Sequence, residues 1–151
     1  MPENSRLDAV NRRLLEELQR NPRVSMSELG RRLGMSGPAV TERLQRLESA
    51  GVVTGYRVDV DPAALGLPVT ALVRVRPGPG QLPKVAQTAK ETPQVVEAYR
   101  VTGEDCFLLK VHAPSIEALE GVLDAFLLFG QTTTSIVVST PVPARPLPLP
   151  A

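Results

Sequence analysis

Residues 33–48 read LGMSGPAVTERLQRLE. Gly34 offers a helix stop, because glycine enters the left-handed conformation that closes a helix without a Cβ penalty. Two residues later, Ser36 offers an N-cap for a new helix. Met35 and Val40 have the spacing of a hydrophobic staple. Pro38 falls in the first turn, where its missing N–H costs no hydrogen bond. Val40, Leu44 and Leu47 make one apolar stripe at helical spacing. Pro38, Thr41, Glu42, Gln45 and Ser49 point away from it, with Arg43 and Arg46 on the flanks. The stretch predicts a helix that buries one side and shows a polar, basic side to whatever lies outside.

Just upstream, VSMSELGRRLG (24–34) carries a capping box. Ser25 can accept from the N–H of residue 28, and Glu28 can reach back to Ser25; Val24 and Leu29 can staple, and Leu29 and Leu33 face inward. Further upstream, Leu7, Val10, Leu14, Leu15 and Leu18 share one helical face, which Asn21-Pro22 ends. Gly51 is the expected residue just past the third helix. Three short helices result, and only Gly34 and Met35 join the last two. That is a helix-turn-helix pattern. The alternative is a plain three-helix bundle without a ligand. Against it, the third helix has few acid–base pairs one turn apart. Its first turn is also built from Ser36, Gly37 and Ala39, small enough for close approach to another molecule.

The charge distribution points either to a polyanion partner at this end or to a solvated arginine-rich surface. Residues 1–57 hold ten Arg and no Lys against seven acids, giving +3, whereas residues 58–151 sum to −2. Aromatics are only 3% of the 151 residues, and none stands among the basic helices. Modules that bind single strands stack bases on aromatic platforms, so a duplex is the better fit. Cys106 is the only cysteine, which excludes an internal disulfide and leaves a cysteine-based zinc site without ligands. No apolar run is long enough to span a membrane, and MPENSRLDAVNRR has no apolar signal core. A cytoplasmic protein is expected, with no cofactor and no metal.

The rest of the chain changes character. VVTGYRVDV (52–60) is β-branched and predicts a strand; DPAALGLP (61–68) is turn-rich and marks the domain boundary. Beyond it, strands are expected at 69–75, 94–103, 105–113 and 134–140. Helices are expected at LPKVAQTAKE (82–91) and after Ser115, with Ile116, Leu119, Val122, Leu123, Phe126 and Leu127 as apolar positions. The order is βαββαβ, the ferredoxin-like split motif. The expected division is a DNA-binding domain at 1–51, strand and linker at 52–67, a ferredoxin-like domain at 68–140 and a proline-rich tail at 141–151, frayed as polyproline. The fold class is α+β, with a winged-type helix-turn-helix ahead of the ferredoxin-like part. Leu72, Leu108 and Val137 break the polar alternation of their strands. Two helices cover only one sheet face, so these residues need another cover, and a second subunit is the simplest.

On these residues the chain resembles the Lrp/AsnC (leucine-responsive/asparagine-regulator) family of transcription factors. The resemblance spans about 7 to 140: the long stretch LDAVNRRLLEELQRNPRVSMSELGRRLGMSGPAVTERLQRLESAGVVTGYRVDV, then LG at 65–66, VTGEDCFLLKV at 101–111, and TTTSIVV. It implies a third helix in the DNA major groove, dimers packed sheet against sheet, assembly up to octamers, and a small effector, usually an amino acid, bound between dimers. It implies DNA-binding roles for Ser36, Gly37, Pro38, Thr41, Glu42, Arg43, Gln45 and Arg46. Ser36 and the first-turn N–H groups suit phosphate. Thr41 and Gln45 would reach base edges, and Arg43 and Arg46 phosphate or guanine. Glu42 repels phosphate, so it must face a base donor or an intramolecular partner.

The resemblance also implies an effector site at Gly103, Glu104, Asp105 and Cys106, with the hydroxyls of Thr132, Thr134 and Ser135 suited to a carboxylate. Many family members have a carboxylate where Cys106 stands, so Glu104 or Asp105 would have to meet an ammonium group, or the ligand differs. An ordinary hairpin turn is the other reading of 103–106. Two rivals remain. One is a DNA-wrapping architectural protein with little sequence preference; the modest excess charge argues instead for base contacts and multivalency across dimers. The other is an enzyme using Cys106 and His112, which lie about 20 Å apart on an extended strand and cannot form a nucleophile–base pair in one chain.

Overall fold

The computed structural model describes residues 7–151, so the first six residues of the expected DNA-binding domain lie outside it. The chain forms two compact units. The first holds residues up to Val58 together with Val142–Ala151; the second runs from Asp59 to Pro141.

The first unit is three helices: α1 (Ala9–Arg20), α2 (Met26–Leu33) and α3 (Gly37–Ser49). Each is capped by a side chain that the sequence supplies at the right place. Asp8 accepts from the Asn11 N–H, Ser25 from Glu28 and Ser36 from Ala39. Leu14, Leu18, Val24, Leu29, Val40, Leu44 and Leu47 form the core.

Two turns fix the helix directions. Gly34 is left-handed, and the Met35 N–H returns to the Gly30 carbonyl at 2.8 Å. Gly30 is itself essential there. A Cβ on it would stand 2.5 Å from the Met35 oxygen and 3.2 Å from the Gly37 nitrogen. After α3, Gly51 is left-handed; its N–H meets the Glu48 carbonyl, and the Val52 N–H meets that of Leu47. This is a Schellman closure.

That closure explains a correction. Residues 52–60, expected as a strand, form none. Val52 and Val53 pack on the helical core, and Val53 also donates to Leu47. A strand needs a neighbouring ladder for its backbone groups, and this segment has none within the described residues.

The second unit opens with a single 3-10 turn (Ala63–Leu65) and continues as β1 (Val69–Pro77), α4 (Leu82–Glu91), β2 (Val95–Arg100), β3 (Phe107–Ala113), α5 (Ile116–Leu127) and β4 (Gly130–Ile136). The sheet order is β2-β3-β1-β4, and all pairs are antiparallel. This is the expected ferredoxin-like arrangement. Ala71, Val73 and Val75 of β1 alternate inward beside Phe107, Leu109, Val111 and Ala113 of β3. Val85 and Ala89 of α4 and Leu119, Val122 and Phe126 of α5 close over them.

The strand ends moved. β4 begins four residues before the expected 134 and stops at Ile136, opposite Ala71 and two residues short of the start of β1 at Val69. Val137 keeps one last bond, to the Thr70 carbonyl. β2 is shorter than expected and has a register shift between Val95 and Glu97. Of the apolar positions of α5, Ile116 and Leu127, at its ends, are half exposed. The proline-rich tail is not simply frayed: it groups with the first unit, and Gln19 Nε2 donates to the Leu147 carbonyl at 3.2 Å.

Gly30→Ala should destabilise the first unit by about 1–3 kcal/mol, the usual cost of forcing an extra methyl into a closed contact. Thermal melts of Gly30→Ala and Gly121→Ala, the latter with open space around its Cβ position, make the comparison. Equal melting temperatures would contradict the close-approach role of Gly30.

Candidate functional site

α3 presents Pro38, Glu42, Gln45 and Arg46 to the outside, while Thr41 and Arg43 are half-buried. Ser36 spends its oxygen as the helix cap, accepting from Ala39 at 3.3 Å. Thr41 does not point a donor outward: its hydroxyl turns back onto the Gly37 carbonyl at 3.1 Å. Gly37 makes only ordinary spacing to Ser27, at 3.7 Å from a built Cβ, so sterics do not demand glycine there.

Both arginines of α3 are engaged. Arg46 pairs with Glu42 one turn earlier at 2.5 Å. This answers the question raised by Glu42, which has an intramolecular partner, and it adds an acid–base pair that the sequence reading discounted. Arg43 reaches across to the start of α1. Its Nη1 donates to Asp8 Oδ2 at 2.8 Å and to Asn11 Oδ1 at 3.0 Å. The Arg43 guanidinium, with help from the Asn11 N–H, holds the Asp8 carboxyl below its ordinary range. Asp8, Asn11, Ala39, Glu42, Arg43 and Arg46 surround a cavity of about 360 Å³. Sequence reasoning missed Asp8 and Asn11, because nothing in α3 alone signals a partner 35 positions upstream.

A second charge network ties α1 to α2. Arg32 pairs with Glu17 at 2.5 Å and with Glu28 at 2.8 Å, and Arg31 pairs with Glu28 at 2.6 Å. Arg13 donates to the Arg32 carbonyl at 2.9 Å. Glu28, expected as a capping-box partner, therefore spends its oxygens on arginines. Hydrogen bonds from Arg31 and then Arg32 hold its carboxyl at about 2.

In the second unit, Gly103 turns the β2–β3 loop at φ 103°. The loop acids are not free to wait for a ligand. Arg76, at the end of β1, pairs with Glu104 at 2.9 Å and with Asp105 at 3.2 Å. The Cys106 thiol sits 3.4 Å from the Gly103 carbonyl and 3.5 Å from that of Glu104, in the loop rather than in β3. Arg76 was missed by sequence reading; its signal is a cation at a strand end, and only the sheet order shows which acids it meets.

The three expected hydroxyls do not form one cluster. Thr132 and Thr134 stand opposite Val75 and Val73, on the helix-covered side. Ser135 stands opposite Leu72, on the other side. Strand side chains alternate, so adjacent residues cannot share a face. A cavity of about 480 Å³ lies elsewhere, between α4 and β2, walled by Leu82, Ala86, Val95 and Phe107 with Lys90 and Arg100. None of the expected effector residues lines it.

The sheet face away from the helices carries Leu72, which is 40% exposed, together with Leu108, and Val137 follows the same alternation. Tyr99, opposite Leu108, is 53% exposed. His112, on this face, shares a 2.9 Å hydrogen bond with Thr70. Among the described residues no group of His, Cys, Asp and Glu could hold a metal ion, and no helix is long and apolar enough to cross a membrane.

Comparison with known proteins matches both units. Residues 7–54 fit the winged helix-turn-helix DNA-binding family, and residues 70–147 fit the Lrp/AsnC ligand binding domain. The chain belongs to the Lrp/AsnC family of transcriptional regulators. It is 35% identical over 134 residues to the HTH-type transcriptional regulator LrpC of Bacillus subtilis, covering 89% of this chain and 93% of that one. The solved LrpC structure superposes with a TM-score of 0.83 over 89% of this chain and 96% of LrpC. The feast or famine regulatory protein of M. tuberculosis, solved in complex with L-methionine, superposes at 0.86 with 34% identity, over 93% of this chain and 98% of that one. A transcriptional regulator of Neisseria meningitidis, also in complex with L-methionine, superposes at 0.85 with 27% identity, over 94% and 96%. This Lrp/AsnC protein is a DNA-binding transcriptional regulator rather than an enzyme.

The Glu28 pairing makes a pH prediction. Its folded value of about 2 lies below the ordinary 4.5, so the pairing stabilises the fold above pH 4.5 and that contribution is lost as the pH falls toward 2. The group is exposed, so the effect is small. Glu28→Gln should show a shallower loss of melting temperature across that window than the parent chain. Parallel acid limbs would mean the ion pairs add nothing to stability.

Proposed function

We propose that this protein is a cytoplasmic, site-selective regulator that reads duplex DNA with α3 and answers to an amino acid bound by its second unit. The observation that carries the DNA half is the outward face of α3. Pro38, Glu42, Gln45 and Arg46 stand exposed behind a capped helix start, with Arg43 beside them. Gln45 is a base reader by chemistry, since its amide both donates and accepts. The Ser36 end supplies N–H groups for a phosphate. Thr41 contributes through its methyl group rather than its hydroxyl, which the helix backbone already holds.

Dimerisation through the open sheet face is supported by Leu72, which is exposed there, and by the half-buried Leu108 beside it. Further assembly of dimers, up to an octamer, would multiply weak single contacts into selective binding. An amino-acid effector is supported by the two relatives solved with L-methionine. In this chain the loop at Gly103–Cys106 is the proposed recognition element, with Arg76 in a role the sequence did not suggest. Its guanidinium can meet an effector carboxylate once Glu104 or Asp105 turns to the ammonium group.

Arg46→Ala should weaken binding to a preferred duplex roughly tenfold or more, as expected for loss of an arginine contact. Fluorescence anisotropy at a stated salt concentration measures it, and unchanged affinity would remove α3 from the mechanism. Leu72→Arg should convert the dimer to a monomer in light scattering while circular dichroism stays unchanged. A parent chain that already runs as a monomer at micromolar concentration would overturn the sheet-face proposal.

A further inference from the structure

Arg43 of α3 is bonded to the start of α1 through a shared carboxylate. Asp8 divides its carboxylate. Oδ1 caps α1 by accepting the Asn11 N–H at 2.7 Å, and Oδ2 takes Arg43 Nη1 at 2.8 Å. Asn11 adds its own side-chain oxygen to the same nitrogen at 3.0 Å. One guanidinium nitrogen is thus gripped from two sides by the first turn of another helix. The Arg43 side chain is 31% exposed as a result, against 75% for Arg46. The two arginines of α3 therefore present themselves differently: among the described residues Arg46 is paired within its own helix, and Arg43 from across the cavity that both line.

An unrestrained arginine on a DNA-facing surface finds a phosphate on any sequence, so it raises nonspecific and specific binding alike. A gripped arginine must first give up its bonds to Asp8 and Asn11 before it can reach a phosphate. We infer that Asp8 is a specificity-determining positioning residue of the DNA interface: it keeps Arg43 from acting as a general phosphate anchor and so preserves the difference between target and random duplex. The inference rests on the proposed docking of α3 and adds that an acid outside α3 sets its selectivity.

Asp8→Asn is the discriminating variant in the full-length chain. Asparagine caps a helix as well as aspartate does, so α1 keeps its start, and an unchanged melting temperature verifies it. The charge that grips Arg43 is gone. The probes are the duplex most enriched from a randomised pool by the parent protein and a shuffled duplex of the same composition. In Asp8→Asn, affinity for the shuffled duplex should rise about threefold to tenfold, and the enriched duplex should gain less. The slope of log affinity against log salt on the shuffled duplex should steepen by about one, the signature of one added phosphate contact.

Adding Arg43→Ala to Asp8→Asn should abolish both the gain and the steeper slope. If the gain survives in the double variant, it comes from deleting a negative charge near DNA, and the inference is wrong. An unchanged specificity ratio and slope in Asp8→Asn overturns it equally. If Arg46→Ala also leaves both affinities untouched, the docking of α3 fails; if Arg46→Ala weakens binding while Asp8→Asn does nothing, only the role of Asp8 fails.

Discussion

The missing side chain of Gly30 sets the geometry on which the first unit depends. Its Cα faces the Met35 carbonyl so closely that no Cβ fits between them. That contact fixes how α3 leaves the turn after α2, and the direction of α3 decides which of its residues point outward. The outward face of α3 is downstream of this single approach of backbone to backbone. The helix caps at Ser25 and Ser36 start the two helices, but caps alone allow many crossing angles. The close approach at Gly30 narrows them.

Charge then does locally what packing does globally. The helical unit carries an excess of arginine, yet the described arginines Arg31, Arg32, Arg43 and Arg46 are all paired with carboxylates. Exposed pairs of this kind contribute little to stability. Their effect here is geometric, because each limits where a long flexible cation can reach. In the second unit Arg76 does the converse, restraining two acids in a loop. Polar contacts orient the functional side chains, and apolar contacts hold the scaffold beneath them.

The parts of this architecture legible in the sequence were those written in local periodicity. The caps at Ser25, Ser36 and Ser115, the stop at Gly34 and the stripes through Leu14 and Leu44 appear in the structure where the spacing places them. The βαββαβ order was legible for the same reason. Pairing was not. Residues 52–60 have strand composition but no ladder among the described residues, and β4 stops at Ile136, short of the end of its β-branched run. The candidate sites divide along that line. The exposed face of α3 could be read off a helical wheel. The partners of Arg43 and Arg76 lie 35 and about 29 positions away in sequence, where no local rule reaches.

The tail gives the chain an unusual order of completion. Because Val142–Ala151 belong to the first unit, the polypeptide enters the second unit at Asp59 and leaves it at Pro141. In covalent terms the ferredoxin-like part is an insertion within the DNA-binding part. A ribosome delivers the three helices first, then the whole sheet, and only then the segment that returns to α1 through Leu147 and Gln19. The helical unit is begun before the ferredoxin-like unit exists and finished after it.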